Sequence, residues 1–530
     1  MSHTVINLAR VSGSGHCHCH WIRHRPSATS GQEAARAVCR PSSTLGVRSS
    51  VPAVVPWPER AGPGDAPAAP AGARKSARTR QAEDVSVLLA SRSPRTGGDE
   101  PAGAAAAGSL DTIGRGWLVA AFAGSAVYAG VVALFSGIGV HRQWAVMAAP
   151  AYALATAAAA WKRRGLDLSL LLALAGGLVA PLTWMAARGE SQREIQVIIR
   201  SAWSLVHHGT PYHSAAALAG THNPDAYNPY LPVMALFGMP RTLLGGGLLT
   251  DPRIWFGVTF AGVFALALAR AGATDIWRWT VLVTATPLVA FPLAVGGDDL
   301  PVLALMCLGL ALLWRPGRQP SPVLAGLVLG VAAAMKATAW PALVVAVALV
   351  AARDGRRSAV RLAGAAVAIF AALVGPVAAV APGSLVVNTI LFPLGLTNAT
   401  SGAASPLPGH LLAQTGHAGH VIAVGLLAFA VLALALSLVV RPPRNCHSAT
   451  WRLIIGLVLM FTLAPDSRFG YFIYPAGLWV WLQVSSLGGV RPQARAGPAG
   501  GAGPAGGGGL PGGAGPPGGG GLPGGKPIRG

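Results

Sequence analysis

Ten acidic residues lie between positions 115 and 487, scattered among long apolar runs. Seven of them, Glu190, Glu194, Asp225, Asp251, Asp298, Asp299 and Asp466, fall at breaks between those runs, as do Lys336 and Arg468. A carboxylate can take a proton from a hydroxyl. Arg can bind phosphate in a bidentate way, and Lys as a point charge. Ionisable groups at membrane depth are costly and usually functional. Water-facing loops explain Asp251 well. They explain Asp298, Asp299 and Lys336 less well, because apolar runs surround these three. Asp298 and Asp299 could hold a divalent cation or hydroxyl groups, and both readings stay open. Two plainer readings stand beside these: Arg468 could pair locally with Asp466, and Lys336 could snorkel from an apolar helix. His207 and His208 are adjacent, so their side chains diverge on a helix. With no well-spaced third ligand, no metal is assigned there.

The elements that must position these groups follow from composition. Of 530 residues, 52% are hydrophobic and 11% charged. A soluble globular protein carries about 25% charged residues. So few charges cannot coat a soluble protein of this size. The 40 Lys+Arg against 18 Asp+Glu leave +22, but a soluble basic nucleic-acid binder is excluded on the same ground. Five cysteines in such a length exclude a secreted disulfide scaffold. An all-α polytopic membrane protein with basic cytoplasmic loops remains.

The chain divides into three. Residues 1–114 and 488–530 are rich in Ala, Pro and Gly and read as disordered extensions. An over-extended gene start is one expectation for the first. Residues 1–20 lack the apolar core and cleavage site of a signal peptide. His16, Cys17, His18, Cys19 and His20 alternate without the separated ligand pairs of a structural zinc site. Residues 115–487 form the membrane domain. A span needs about 20 apolar residues. About twelve candidates occur, near 116–138, 143–161, 166–187, 254–270, 279–295, 299–314, 321–336, 338–352, 360–380, 418–440, 451–464 and 470–486. The stretch 230–249 is apolar but broken by Pro232, Pro240 and three glycines, and reads as re-entrant or interfacial. With that segment not crossing, the Arg-rich loops from Lys162 to Arg452 fall in the cytoplasm, as the positive-inside rule asks. Both termini are then cytoplasmic. The seven acids, Lys336 and Arg468 share the outer face.

The longest outer loop covers about 188–229. From Glu194, the positions Ile195, Ile198, Ile199, Ala202, Leu205 and Val206 follow helical spacing. This predicts an amphipathic helix along the membrane surface, ended by Gly209, Thr210 and Pro211. Glu194 sits at its start, where a carboxylate is stabilised in its ionised form. A Pro- and Asn-pinned turn follows.

In order, the chain presents an acid opening the first large outer loop, HHGTPY (207–212), YNPYLPVMALFG (227–238), GGDDLP (296–301), GLVLGVAAAMKATAWP (326–341) and APDSRFGYFIYP (464–475). This order resembles the C-type glycosyltransferases, polytopic enzymes that use polyprenyl-phosphate sugars. Within them it resembles the bacterial polyprenol-phosphate-mannose-dependent α-mannosyltransferase-like group. Where that group usually opens the loop with Asp, this chain has Glu194, one methylene longer.

The resemblance implies inverting transfer of a hexose, mannose first, to a hydroxyl of a glycan or lipid at the outer face of the cell membrane. It implies Glu194 as general base, with Glu190, Asp225 and Asp298 as rivals. It implies Lys336, Arg468 and Arg200 as ligands of the donor phosphate. Asp225, Tyr212, Tyr227, Asp298, Asp299, Asp466 and Tyr471 would face sugar or acceptor. Tyr212, Tyr227, Tyr471 and Trp340 read equally as interfacial anchors. No cofactor beyond the donor is implied, a divalent cation stays open, and no nucleic-acid partner is expected. The rival readings are a secondary transporter and a non-catalytic scaffold. Transporters place polar groups near the midplane on broken helices in repeated halves; here the charges gather at one face without an internal repeat.

Overall fold

The computed structural model describes residues 114–161, 165–314, 319–399 and 402–488. The two terminal extensions, the His and Cys run at 16–20, and Lys162, Arg163, Arg164, Arg315 and Arg318 lie outside the described residues.

Among the described residues the elements are helical, apart from an isolated bridge between Ala404 and Ser467. The main helices are α1 (Arg115–Phe135), α2 (Gly139–Ala160), α3 (Leu166–Ala187), α4 (Arg193–His208), α5 (Pro252–Ala271), α6 (Ile276–Ala285), α7 (Pro287–Val295), α8 (Leu300–Ala311), α9 (Pro322–Ala333), α10 (Trp340–Asp354), α11 (Arg356–Val380), α12 (His417–Val440), α13 (Cys446–Leu463) and α14 (Ile473–Gly488). Seven helices are long and apolar enough to cross a membrane, or eight if the bent pair α6 and α7 is one span. The other expected spans are also helices, but shorter or less apolar. At 1.5 Å per residue, α8 and α9 are only about 18 Å long against a hydrocarbon core of about 30 Å.

α8 is the centre of the bundle. Eleven of its twelve residues are buried, and α5, α9 and α14 pack around it. Small residues let the helices approach closely. On α9, a Cβ at Gly326 would stand 2.2 Å from the Leu362 carbonyl oxygen, and one at Gly330 would stand 2.6 Å from that of Ala366. α12 lies at the margin, with Val421, Ile422, Phe429 and Leu432 exposed.

At two breaks within helices, another element takes up a freed backbone group, as an apolar surrounding requires. α6 and α7 meet at 59°, where Pro287 supplies no N–H. The Tyr152 hydroxyl donates to the Ala285 carbonyl at 2.6 Å. In α3 a π-turn spans Ala175–Val179, and the Trp144 indole donates to the Gly177 carbonyl at 2.8 Å.

The segment 230–249 is broken as its prolines and glycines predict. It holds a 3-10 turn, Pro232–Gly238, and a short helix, Met239–Leu244. Its Leu231 and Val233 amides donate to the Met335 and Ala334 carbonyls at 3.0 and 3.2 Å. Two irregular stretches therefore complete each other. α4 forms with the expected bounds and ends at Gly209, whose φ of 70° suits glycine. Its buried residues Ile198 and Ala202 pack on Pro232–Gly238: a Cβ at Gly238 would lie 2.6 Å from the Ile198 carbonyl oxygen. Of the apolar face expected to rest on lipid, Ile195, Ile198 and Ala202 are covered by the protein itself, whereas Val206 stays exposed.

Replacing Gly330 by Val should force α9 from α11 at a cost of about 1–3 kcal/mol. Thermal melts of the purified protein would show this, and an unchanged midpoint would refute the close-packing argument.

Candidate active site

Four loops meet at the C-terminal ends of α3, α7, α9 and α13, each bringing charge. The first carries Glu194 in the opening turn of α4. The second carries Asp298 and Asp299 after Gly296 and Gly297. The third carries Lys336, and the fourth Arg468. The start of α4 is tied to the second loop: the Gln192 amide donates to the Val295 carbonyl at 2.8 Å. Gly296 has φ 118°, and a Cβ there would stand 2.7 Å from Ile195 Cγ1. Only glycine permits both the conformation and the approach.

Lys336 is buried, in extended backbone between α9 and α10. Its Nζ donates to Asp298 Oδ1 at 3.0 Å and to Asp299 Oδ1. The rings of Tyr230 and Tyr471 lie 5.2 and 5.6 Å from the same nitrogen, within reach of cation–π attraction. The Tyr474 hydroxyl donates to Asp299 Oδ1 at 2.7 Å, and Thr338 donates to the Tyr474 oxygen at 2.9 Å. Lys336 is therefore held by two carboxylates rather than snorkelling to water.

Arg468 pairs with Glu194 across 274 positions of sequence. Asp466, in contrast, faces His410 at 3.8 Å, so the local Asp466–Arg468 pair does not form. A bridge of Ser405 to Ser467 at 3.0 Å steadies this loop. His141 lies 2.6 Å from Gln192 Nε2 beside Glu194. Burial would lower the Arg468 pKa, but Glu194, Tyr471 and Tyr230 together outweigh it and hold the guanidinium above its ordinary value. Burial pushes the Asp298 carboxyl up to about 6, against the pull of Lys336 and with help from Asp299 and Glu194. Asp298 Oδ2 is buried with no hydrogen-bond partner among the described residues.

A second charge pair braces the site from behind. Arg253, fully buried, makes two hydrogen bonds of 2.9 Å to the carboxylate of Asp251. Its Nη1 donates to the carbonyls of Glu190 at 3.0 Å and Ala294 at 2.8 Å. It thus clamps the loop before Glu194 to the loop before Asp298. Asp251 does not face water as the sequence suggested; it is 3% exposed.

The structure brings together Glu194, Asp298, Asp299, Lys336, Arg468 and Tyr471. The remaining candidates sit elsewhere. Glu190 pairs with Arg188 at 3.2 Å and Asp225 with Arg193 at 2.7 Å, both carboxylates partly exposed, with Glu190 Oε2 buried and without a hydrogen-bond partner among the described residues. Arg200 donates to the Ala226 carbonyl at 3.4 Å. Tyr212 and Tyr227 are buried, their hydroxyls donating to the Tyr230 and Leu218 carbonyls at 2.9 and 3.2 Å. Tyr227 also stacks on Phe392 at 4.5 Å. These two rings hold the loop rather than face a ligand. Trp340 donates to the Ala333 carbonyl at 3.2 Å. His207 stacks on Trp203. Among the described residues no three His, Cys, Asp or Glu side chains converge as metal ligands. Sequence reasoning missed Tyr230, Thr338, Tyr474 and His141. Tyr474 had a signal: it follows Tyr471 by three, one helical turn.

A family model described as Glycosyltransferase family 87 matches residues 228–465. The match takes in Asp298, Asp299 and Lys336; Glu194 precedes it and Arg468 follows it. No curated protein and no solved structure matches the chain. Together with the apolar helices, the match supports a polytopic membrane glycosyltransferase.

Two measurements test the electrostatics. Asp251→Ala leaves a buried guanidinium without its carboxylate, and should cost about 3–5 kcal/mol. Denaturant titration would read it; a loss below about 1 kcal/mol would show that the clamp is dispensable. Asp298 has a folded pKa of about 6 against about 3.9 unfolded. Between about pH 4 and 6 the folded protein holds the more protons there, so this group makes stability fall as pH rises through that window. Asp298→Asn should flatten the slope in thermal melts, and identical slopes would rule the assignment out.

Proposed function

We propose that the protein is an inverting hexosyltransferase. It takes mannose from a polyprenyl-phosphate donor and passes it to a glycan or lipid hydroxyl at the extracytoplasmic face of the cell membrane. The observation that carries this reading is the Glu194–Arg468 pair standing beside the Lys336 cluster. A base and two cations suited to phosphate thereby share one site at the helix ends. The family match supports the reaction class. The choice of mannose and of the polyprenyl carrier rests on the ordered motifs, and the face on the Arg-rich loops.

In the reaction, the acceptor oxygen forms a bond to the anomeric carbon as the bond from that carbon to the phosphate oxygen breaks. The acceptor proton goes to a carboxylate, and the electron pair leaves with polyprenyl phosphate. No general acid is needed, because the leaving group is already an anion. Cations are needed, because charge builds on its oxygens. Arg468 presents several N–H donors, so a phosphate competes with Glu194 for it. Donor binding then loosens Glu194 from its pair and leaves it free to take the proton. Lys336 would meet the same phosphate from the side of Asp298 and Asp299. Glu190 and Asp225 are engaged with surface arginines, so Asp298 is the rival base that remains within the cluster.

Purified protein supplied with radiolabelled polyprenyl-phosphate mannose and a membrane lipid extract should form labelled product. Glu194→Gln should slow this by about 10²–10⁴-fold, the range of a general base. No transfer by wild type would sink the reading. Full activity in Glu194→Gln would move the base to Asp298, where Asp298→Asn should then abolish transfer.

A further inference from the structure

α4 has a second working face. Glu194, Ile198 and Ala202 point towards the charged cluster and Pro232–Gly238. Gln196, Ile199, Arg200 and Trp203 instead line an open groove of about 470 Å3, closed on its other side by Arg241, Thr242 and Gly246. At about 100° per residue, Trp203 and Arg200 lie about 180° and 240° around the helix from Glu194. The groove is therefore separate from the cluster, and its argument does not depend on the reaction proposed above.

Its lining has two guanidinium groups and no carboxylate. Among the described residues neither Arg200 nor Arg241 is held in an ion pair. The carboxylate that acts on Arg200 through space, Asp225, is itself tied to Arg193 at 2.7 Å. Beside the arginines, Leu243, Leu244 and Leu249 are 65%, 79% and 75% exposed. Trp203, half-exposed, stands at the rim. Bare leucines beside unpaired arginines and a tryptophan are out of place facing water. They fit the boundary of a bilayer, where apolar side chains enter the acyl region and cations stay at headgroup level.

We propose that this groove binds the phosphodiester head of an anionic membrane phospholipid. Arg200 and Arg241 take the phosphate from its two sides, and the three leucines lie against the acyl chains. Guanidinium groups suit this because they donate in a planar fork that matches phosphate oxygens.

The test uses the full chain, extracted in detergent from membranes containing phosphatidylglycerol and phosphatidylcholine. Native mass spectrometry counts the lipids retained. Wild type should keep phosphatidylglycerol in preference to phosphatidylcholine. Arg200→Gln with Arg241→Gln should lower that preference about tenfold or more. Arg188→Gln, which removes an exposed cation elsewhere, should leave it intact. The proposal is overturned if the double variant retains phosphatidylglycerol as wild type does, or if Arg188→Gln loses as much. It is equally overturned if millimolar inorganic phosphate displaces the lipid as well as added phosphatidylglycerol does, since the groove would then hold free anions. Should the double variant fail to run as a single species on gel filtration, Arg241→Gln alone decides. A several-fold loss supports the proposal, and an unchanged preference overturns it.

Discussion

An ion that leaves water for a protein interior must find counter-charge or lose its own. Lys336 meets that demand by drawing Asp298 and Asp299 onto one nitrogen, and much of the architecture follows from where that nitrogen must be. To put it there, α9 ends at Ala333 and the chain runs extended through Lys336. Unwinding exposes the Ala334 and Met335 carbonyls, which Val233 and Leu231 cap. Those bonds hold the 3-10 turn Pro232–Gly238 in place. That turn in turn seats α4 through the contact of Gly238 with Ile198. Once α4 is seated, Glu194 in its first turn reaches Arg468. One buried ammonium thus sets the position of a carboxylate that never touches it.

The buried Arg253 does for backbone what Lys336 does for side chains. Its guanidinium spends two donors on Asp251 and another on two carbonyls from chain segments far apart in sequence. The helix ends of this bundle leave carbonyls without intrahelical partners. A charged donor fixed by its own carboxylate is a rigid way to gather them.

Sequence reveals what is local and periodic. The bounds of α4, its glycine stop, the broken segment at 230–249 and the breaks bearing the charges follow from spacing, Pro and Gly. Span length was less legible, since hydropathy runs on through unwound ends. After Asp299 the expected span 299–314 is apolar to its end, yet α8 covers Leu300–Ala311. Pairing was not legible at all. Nothing in the order of residues says that Arg468 seeks Glu194 rather than Asp466, two positions away. The family resemblance implies that Tyr212 and Tyr227 face a ligand, but they sit in a loop rich in Pro and Asn. Such a loop also has carbonyls without partners, and these two hydroxyls serve them. Asp251 reads as a water-facing loop residue; that it instead accepts from the Arg253 amide at the start of α5 and pairs with the same guanidinium needs the fold to be seen.

The cluster's charge balance bears on the proposed reaction. Glu194, Asp298 and Asp299 against Lys336 and Arg468 leave one formal negative charge. A phosphodiester donor adds another, and the departing phosphate monoester carries more than the donor did. In the proposed reaction the acceptor proton on Glu194 offsets the extra charge of the departing phosphate, so the cluster's negative charge opposes chiefly the gathering of the donor. A proton on Asp298 eases that opposition in the direction its burial already favours. It would relieve the repulsion without disturbing Asp299, which keeps both Lys336 and Tyr474 as donors. The buried, unpartnered Asp298 Oδ2 is the atom that such a proton would engage. In the proposed reaction a proton on Asp298 would tune the charge of the site while Glu194 takes the acceptor proton. Deeper burial of Asp298, 4% exposed in its side chain against 17% for Glu194, would give two carboxylates of one cluster different work.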